Sequence, residues 1–195
     1  MDVSFVASAY RPEQYPPADR PEIAFAGRSN VGKSSLLNRL TNRRHLAITS
    51  SRPGRTRSIN FFAVGKNLYF VDLPGYGYAK VPWKVKKSWK EMVETYLLER
   101  PTLKGVILIL DIRRDPGSDD LGLVDWLQHH NIPVILVLTK ADKLSKQKAL
   151  SRATLISKAF SGTNLPKPLI FSSRTGLGKE QLWESIHALI QGPKA

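Results

Sequence analysis

Apolar residues in this chain fall into two alternating patterns. Strand-length runs at Glu22–Ala26, Val106–Asp111, Val134–Thr139 and Leu169–Ser172 stand between segments whose apolar residues recur every three or four positions. The recurring segments predict helices at Ser35–Leu40, from Pro82 onward (Val85, Trp89, Met92, Val93, Tyr96, Leu97), at Asp119–His130, at Ser145–Phe160 and at Gly178–Ile190. Asn60–Val64 and Leu68–Asp72 flank Gly65-Lys66-Asn67 and read as a hairpin. Strands alternating with helices predict a three-layer α/β fold: a mostly parallel six-stranded sheet, one antiparallel strand and helices on both faces. Residues 21–192 make this single domain. Residues 1–20, with Pro12, Pro16 and Pro17, read as an extended leader with a short strand at Ser4–Ala7. Ligands of such sheets bind beyond the carboxyl ends of the strands. The loops after Ala26, Asp72, Thr139 and Ser172 all lie there.

Composition narrows the classes. The chain has 195 residues, enough for one domain with a full core. It has no cysteine, which excludes disulfides and cysteine-based metal or redox sites. His45, His129, His130 and His187 show no metal-ligand spacing. No apolar run is long enough to span a bilayer and no signal peptide is visible, so a cytoplasmic protein is expected; the expected state, taken separately, is a monomer. The net charge of +14 changes the picture. No acid lies between Glu22 and Asp72, an interval holding Arg28, Lys33, Arg39, Arg43, Arg44, Arg52, Arg55, Arg57 and Lys66. A second basic cluster is Lys80, Lys84, Lys86, Lys87 and Lys90; a third is Lys143, Lys146, Lys148, Arg152 and Lys158. Such charge opposes compaction, and a polyanionic partner such as RNA explains it better than solubility alone.

The chemistry centres on Gly27-Arg28-Ser29-Asn30-Val31-Gly32-Lys33-Ser34, a match to the G-x-x-x-x-G-K-[ST] phosphate loop between a strand and a helix. Glycines let the backbone amides curl around phosphate oxygens, and the helix dipole adds positive potential. Lys33 would reach the β- and γ-phosphates, and the Ser34 hydroxyl would ligate Mg²⁺. Asp72-Leu73-Pro74-Gly75 ends an apolar strand. Its aspartate can hold Mg²⁺ through water, and the bare Gly75 amide can approach the γ-phosphate. Thr139-Lys140-Ala141-Asp142 ends another strand. A carboxylate at Asp142 accepts two parallel hydrogen bonds, which guanine offers at N1 and N2 and adenine does not. The Lys140 stem can cover the base. Ser172-Ser173-Arg174, after the next strand, would bring backbone amides to guanine O6. In the long polar loop between Thr41 and Ile59, Thr56 is the candidate second Mg²⁺ ligand, with Thr49 as its competitor.

In this order the motifs resemble a small GTPase domain of the translation-factor class. Ala26–Asn38, Pro53-Gly54-Arg55-Thr56, Asn60-Phe61-Phe62 and Val71–Ala79 together resemble the bacterial EngB (YihA/YsxC) GTP-binding proteins, over nearly the whole chain. The resemblance implies GTP and GDP as ligands, hydrolysis with Mg²⁺, and a role in building the large ribosomal subunit through rRNA and ribosomal protein. It also implies a requirement for normal cell division and septation. The nucleotide contacts it implies are Gly27, Arg28, Ser29, Asn30, Val31, Gly32, Lys33, Ser34 and Ser35; Gly54, Arg55, Thr56, Arg57 and Ser58; Asp72, Leu73, Pro74 and Gly75; Thr139, Lys140, Ala141 and Asp142; and Phe171, Ser172 and Ser173. Ser34, Thr56 and Asp72 are the metal set, and Lys33, Asn30, Thr56 and Gly75 the catalytic one. Many GTPases place a water-orienting glutamine after D-x-x-G; here that position is Tyr76. Related families with such a departure hold a potassium ion at an asparagine where Asn30 stands, which would supply charge beside the γ-phosphate. Arg52, Arg55 or Arg57 could do this instead. The rivals are a non-catalytic RNA-binding or division scaffold, an ATPase, and the GTPase part of a transporter.

Overall fold

The computed structural model describes residues 2–43, 46, 58–76 and 83–192, with backbone alone at 83–86 and 89. Its strands are β1 (Val3–Ala9), β2 (Glu22–Gly27), β3 (Ile59–Val64), β4 (Leu68–Asp72), β5 (Leu103–Asp111), β6 (Val134–Thr139) and β7 (Leu169–Ile170). Its α-helices are α1 (Lys33–Leu40), α2 (Trp83–Glu99), α3 (Ser118–His129), α4 (Lys146–Ala159) and α5 (Lys179–Gln191).

The strands form one sheet in the order β1-β3-β4-β2-β5-β6-β7. β3 is antiparallel to both β1 and β4, and the remaining pairings are parallel. The sheet thus carries one strand more than the six expected. The addition is the leader segment, longer than Ser4–Ala7, running along β3 from Val3 opposite Val64 to Ala9 opposite Ile59. A bulge between Phe5 and Ala7 shifts its register, and only Val3 and Ala9 are fully buried, so it lacks a clean period of two. β5 begins before Val106, because Gly105 lies within it. A Cβ there would sit 2.8 Å from the Pro133 carbonyl oxygen, so this glycine marks close backbone approach, not a strand end.

Central β2 is buried at every residue, and its side chains alternate between two cores. Ala24 and Ala26 join Tyr96 and Leu97 of α2, Val124 and Leu127 of α3, and Ile156 of α4. Ile23 and Phe25 join Leu36, Leu37 and Leu40 of α1 and Leu182 and Ile186 of α5. Trp183 stacks on Phe70 at 5.5 Å and Trp126 lies 4.4 Å from His130, so both pack at helix edges as expected.

At the amino end of the sheet, Glu22 has no exposed surface. It accepts hydrogen bonds from the Tyr96 hydroxyl (2.8 Å), the Arg100 guanidinium (2.8 Å to Nε) and the Thr102 hydroxyl (2.8 Å). Arg100 also donates to the Pro16 carbonyl at 2.8 Å, tying the leader to the end of α2. Beside it, burial pushes the Tyr15 phenol up to about 12. Arg100→Ala would leave the Glu22 carboxylate buried without its cation. The expected loss is about 3–5 kcal/mol, read as a lower urea midpoint at unchanged slope.

Candidate functional site

The chain leaves β2 where it has no room for a side chain. A Cβ at Gly27 would lie 2.7 Å from the Ile109 carbonyl oxygen of β5. The loop turns through Asn30 (φ 66°) and Gly32 (φ 102°), left-handed conformations that favour these residues. Gly32 caps α1 without a side-chain bond, so the first amides of α1 face the loop with no intrahelical partner. The Leu36 amide is the first to bond back, to the Gly32 carbonyl at 2.9 Å. This is the donor array an anion needs.

Two residues at the end of β6 hold the loop from one side. The Thr139 hydroxyl shares its proton between the Val31 carbonyl (2.5 Å) and the Leu110 carbonyl (3.0 Å). The Lys140 ammonium donates to the Asn30 carbonyl at 2.7 Å and pairs with Asp111 at 3.0 Å. Burial alone would raise the Asp111 carboxyl. The hydrogen bonds from Arg113 and Lys140 overcome it and hold the group far below the usual carboxylate range. Asp111 was not foreseen in the sequence, although it ends an apolar strand just as Asp72 does.

On the other side, Asp72 ends β4 and its carboxylate is paired with the Lys33 ammonium, both groups buried. Leu73 is buried behind them and its amide bonds to the Phe25 carbonyl at 3.1 Å, continuing the β4–β2 contact one residue past Asp72. Gly75 presses on Ser29, where a Cβ would lie 3.1 Å from the hydroxyl oxygen. Ser34 and Ser35 follow Lys33 in the first turn of α1. The Asp72 carboxylate and the hydroxyl of Ser34, the residue after Lys33, are hard oxygen donors of the kind that suits Mg²⁺ beside phosphate. Among the described residues no group of three or more His, Asp or Glu side chains forms a metal cluster by itself.

The third wall comes from β6 and β7. Asp142 follows Ala141, whose amide bonds to the Phe171 carbonyl at 3.2 Å. The Ser172 hydroxyl donates to Asp142 at 2.8 Å, and this bond holds the Asp142 carboxyl below its usual value. The Ser172 amide bonds to the Leu177 carbonyl at 3.0 Å. It is therefore taken up, and the amides left for a base oxygen are those of Ser173 and Arg174. A cleft of about 290 Å³ runs beside the phosphate loop, lined by Arg28, Asn30, Asp111, Arg114, Asp120 and Lys140. Asp120 was also missed in the sequence; it lies on α3 with no motif around it.

Gly54, Arg55, Thr56 and Arg57, with Thr49 and Arg52, lie outside the described residues. So do Lys80, Pro82 and the side chains of Val85, Lys84, Lys86 and Trp89. Ser58 is described and buried, its hydroxyl donating to Asn60 at 3.1 Å.

The family described as 50S ribosome-binding GTPase matches residues 22–140. A protein of Desulfatibacillum aliphaticivorans named as a probable GTP-binding protein EngB is 54% identical over 182 residues, covering 93% of this chain and 88% of that one. One of the same name from Syntrophus aciditrophicus is 53% identical over 187 residues, covering 95% and 94%. The crystal structure of a probable GTP-binding protein EngB superposes with a TM-score of 0.69 at 27% identity, covering 87% of this chain and 98% of that one.

Asp142 with its depressed value contributes stability as the carboxylate above the ordinary aspartate value, and that contribution is lost as pH falls through the folded value, below about pH 4. Ser172→Ala removes the donor. The Asp142 carboxyl should then titrate at higher pH than in the parent, as followed by NMR of the side-chain carbon.

Proposed function

This chain belongs to the 50S ribosome-binding GTPase family and, within it, to the EngB GTP-binding proteins, and we propose that it is a GTP-operated switch in assembling the large ribosomal subunit. It is a P-loop GTPase, hydrolysing GTP to GDP. The observation that supports the reading best is the convergence on one loop. Lys33 meets Asp72 on one side of Gly27–Ser34, and Thr139 and Lys140 grip the other.

In this reading Lys33 and the first amides of α1 bind the β- and γ-phosphates, and Gly75 offers its amide to the γ-phosphate. Ser34, Asp72 and Thr56 would hold Mg²⁺, which supplies charge neutralisation at the phosphates. Asp142 accepts from guanine N1 and N2, held in line by Ser172, while Ser173 faces O6 and the Lys140 stem covers the base. Residues 21–192 act as one G domain with the 1–20 leader laid along it. Asn30 stands in the loop at φ 66° with an exposed side chain, a position from which it can ligate K⁺ near the phosphates. Hydrolysis should then run faster in K⁺ than in Na⁺, and Asn30→Ala should abolish the difference.

Charge supports an RNA-rich partner. Between Asp142 and Glu180 there is no acid. Lys143, Lys146, Lys148, Lys158, Lys167 and Arg174 of that span are exposed. Arg152 is turned inward, donating to the Ile112 carbonyl at 3.0 Å and pairing with Asp115 at 2.8 Å. On α2, Lys87 and Lys90 pair with Glu91 and Glu94 along the helix, so two cations of that cluster already face carboxylates. The acid-free span is therefore the stronger RNA face. A role in cell division follows if ribosome supply limits septation, and cytoplasmic residence fits; among the described residues no helix is long and apolar enough to cross a membrane.

Lys33→Ala should abolish GTP binding, and Asp142→Asn should move preference to xanthosine nucleotides, both read by calorimetry. Co-sedimentation with large-subunit precursors should be stronger with a non-hydrolysable GTP analogue than with GDP. A scaffold would keep its association in Lys33→Ala.

A further inference from the structure

Tyr76, in the place where many GTPases carry a water-orienting glutamine, is held at both ends. Its hydroxyl donates to Asp120 Oδ1 of α3 at 2.8 Å. Its carbonyl accepts the Ser29 amide at 3.2 Å, and its backbone bridges Arg28 as a short parallel pairing. Asp120 is itself fixed. It is 2% exposed, accepts the Gly117 amide at 2.8 Å on Oδ2, and has the Arg28 guanidinium 3.9 Å away. The phosphate loop, the segment Asp72–Tyr76 and α3 are therefore joined at Tyr76, its backbone to the loop and its phenol to α3.

This arrangement has two chemical consequences. The single hydroxyl proton of Tyr76 is committed to Asp120, so the side chain points at α3 and has no proton to donate elsewhere. Burial, reinforced by the neighbouring Asp120 charge, pushes the phenol far above its ordinary value, so it stays a donor throughout the physiological range. Next to Tyr76 in the chain, Gly75 lies against Ser29 of the phosphate loop, where a Cβ would meet the hydroxyl oxygen at 3.1 Å. A γ-phosphate requires Lys33, Asp72 with its metal, and the Gly75 amide all to face it. A diphosphate does not require Gly75.

We propose that the Tyr76–Asp120 hydrogen bond is a latch that keeps the Asp72–Gly75 segment closed on the phosphate loop, so that GTP, but not GDP, must open it to bind. Tyr76 and Asp120 are then positioning residues that set the GTP-to-GDP preference of the site. The inference rests on reading that site as a guanine-nucleotide switch. A state that must open before binding lowers the apparent affinity by its closed fraction, and removing the latch restores it.

Tyr76→Phe removes the hydroxyl and keeps the ring. Calorimetry with Mg²⁺ and a non-hydrolysable GTP analogue should show affinity raised about tenfold, the worth of one hydrogen bond to a charged group, with GDP affinity unchanged within about twofold. In an Asp120→Asn background, which weakens the acceptor, the Tyr76→Phe step should give a smaller gain, since both changes act on one bond. A thermal melt checks that each variant is folded. If both nucleotides shift equally, or neither shifts, or the two substitutions add fully, the latch is overturned. A parent protein that binds neither nucleotide overturns the switch reading and the latch with it.

Discussion

Between Gly27 and the Ile109 carbonyl there is no space for a methyl group. Two parallel strands approach so closely there that the chain leaving β2 has one course, over the end of β5 and into α1. The rest of the site is set by that exit. Register carries Leu108 of β5 beside Ala26 and Ile109 beside Gly27, and places Asp111 level with Thr139 of β6. Thr139 can then reach the Val31 carbonyl and Lys140 the Asn30 carbonyl, although each lies more than a hundred residues away in sequence. The phosphate loop is held by its neighbours' strand ends, since a glycine-rich backbone holds no shape alone.

Much of this was legible beforehand, because each motif fell at a strand end that periodicity had already located. Lys33, Asp72, Thr139 and Lys140 come together as the order of motifs implied. What could not be read is contact that depends on side-chain reach between elements. The Asp120 role is of this kind: on α3 it sits among other acids, and only the fold brings Tyr76 to it. The inward turn of Arg152 is another, since a cation in a basic helix looks solvated until Asp115 and Ile112 are placed beside it. The leader strand was read too short, at Ser4–Ala7, and outside the main sheet, for a different reason. Its register breaks at a bulge, and an edge strand buries too few residues to alternate clearly.

The Ser172 amide shows a subtler limit. Sequence placed the Ser172–Arg174 turn near the base, but which amide is free depends on local turn bonds. The Leu177 carbonyl takes that of Ser172, the Ser172 carbonyl takes that of Gly176, and the Ser172 hydroxyl accepts that of Thr175. The turn closes on itself, and this self-closure stiffens the wall that presents Asp142.

The buried Glu22 cluster lies at the pole opposite the phosphates, where Tyr96 and Arg100 fasten the carboxyl end of α2. That helix runs 17 residues, from Trp83 to Glu99. Met92, Val93 and Leu97 pack its inner face on the core, so the Glu22 cluster adds a polar fastening to an apolar one at the same end of the helix. The carboxylate sealed beneath the leader thereby ties three distant parts of the chain, β2, the end of α2 and the leader at Pro16, into one joint.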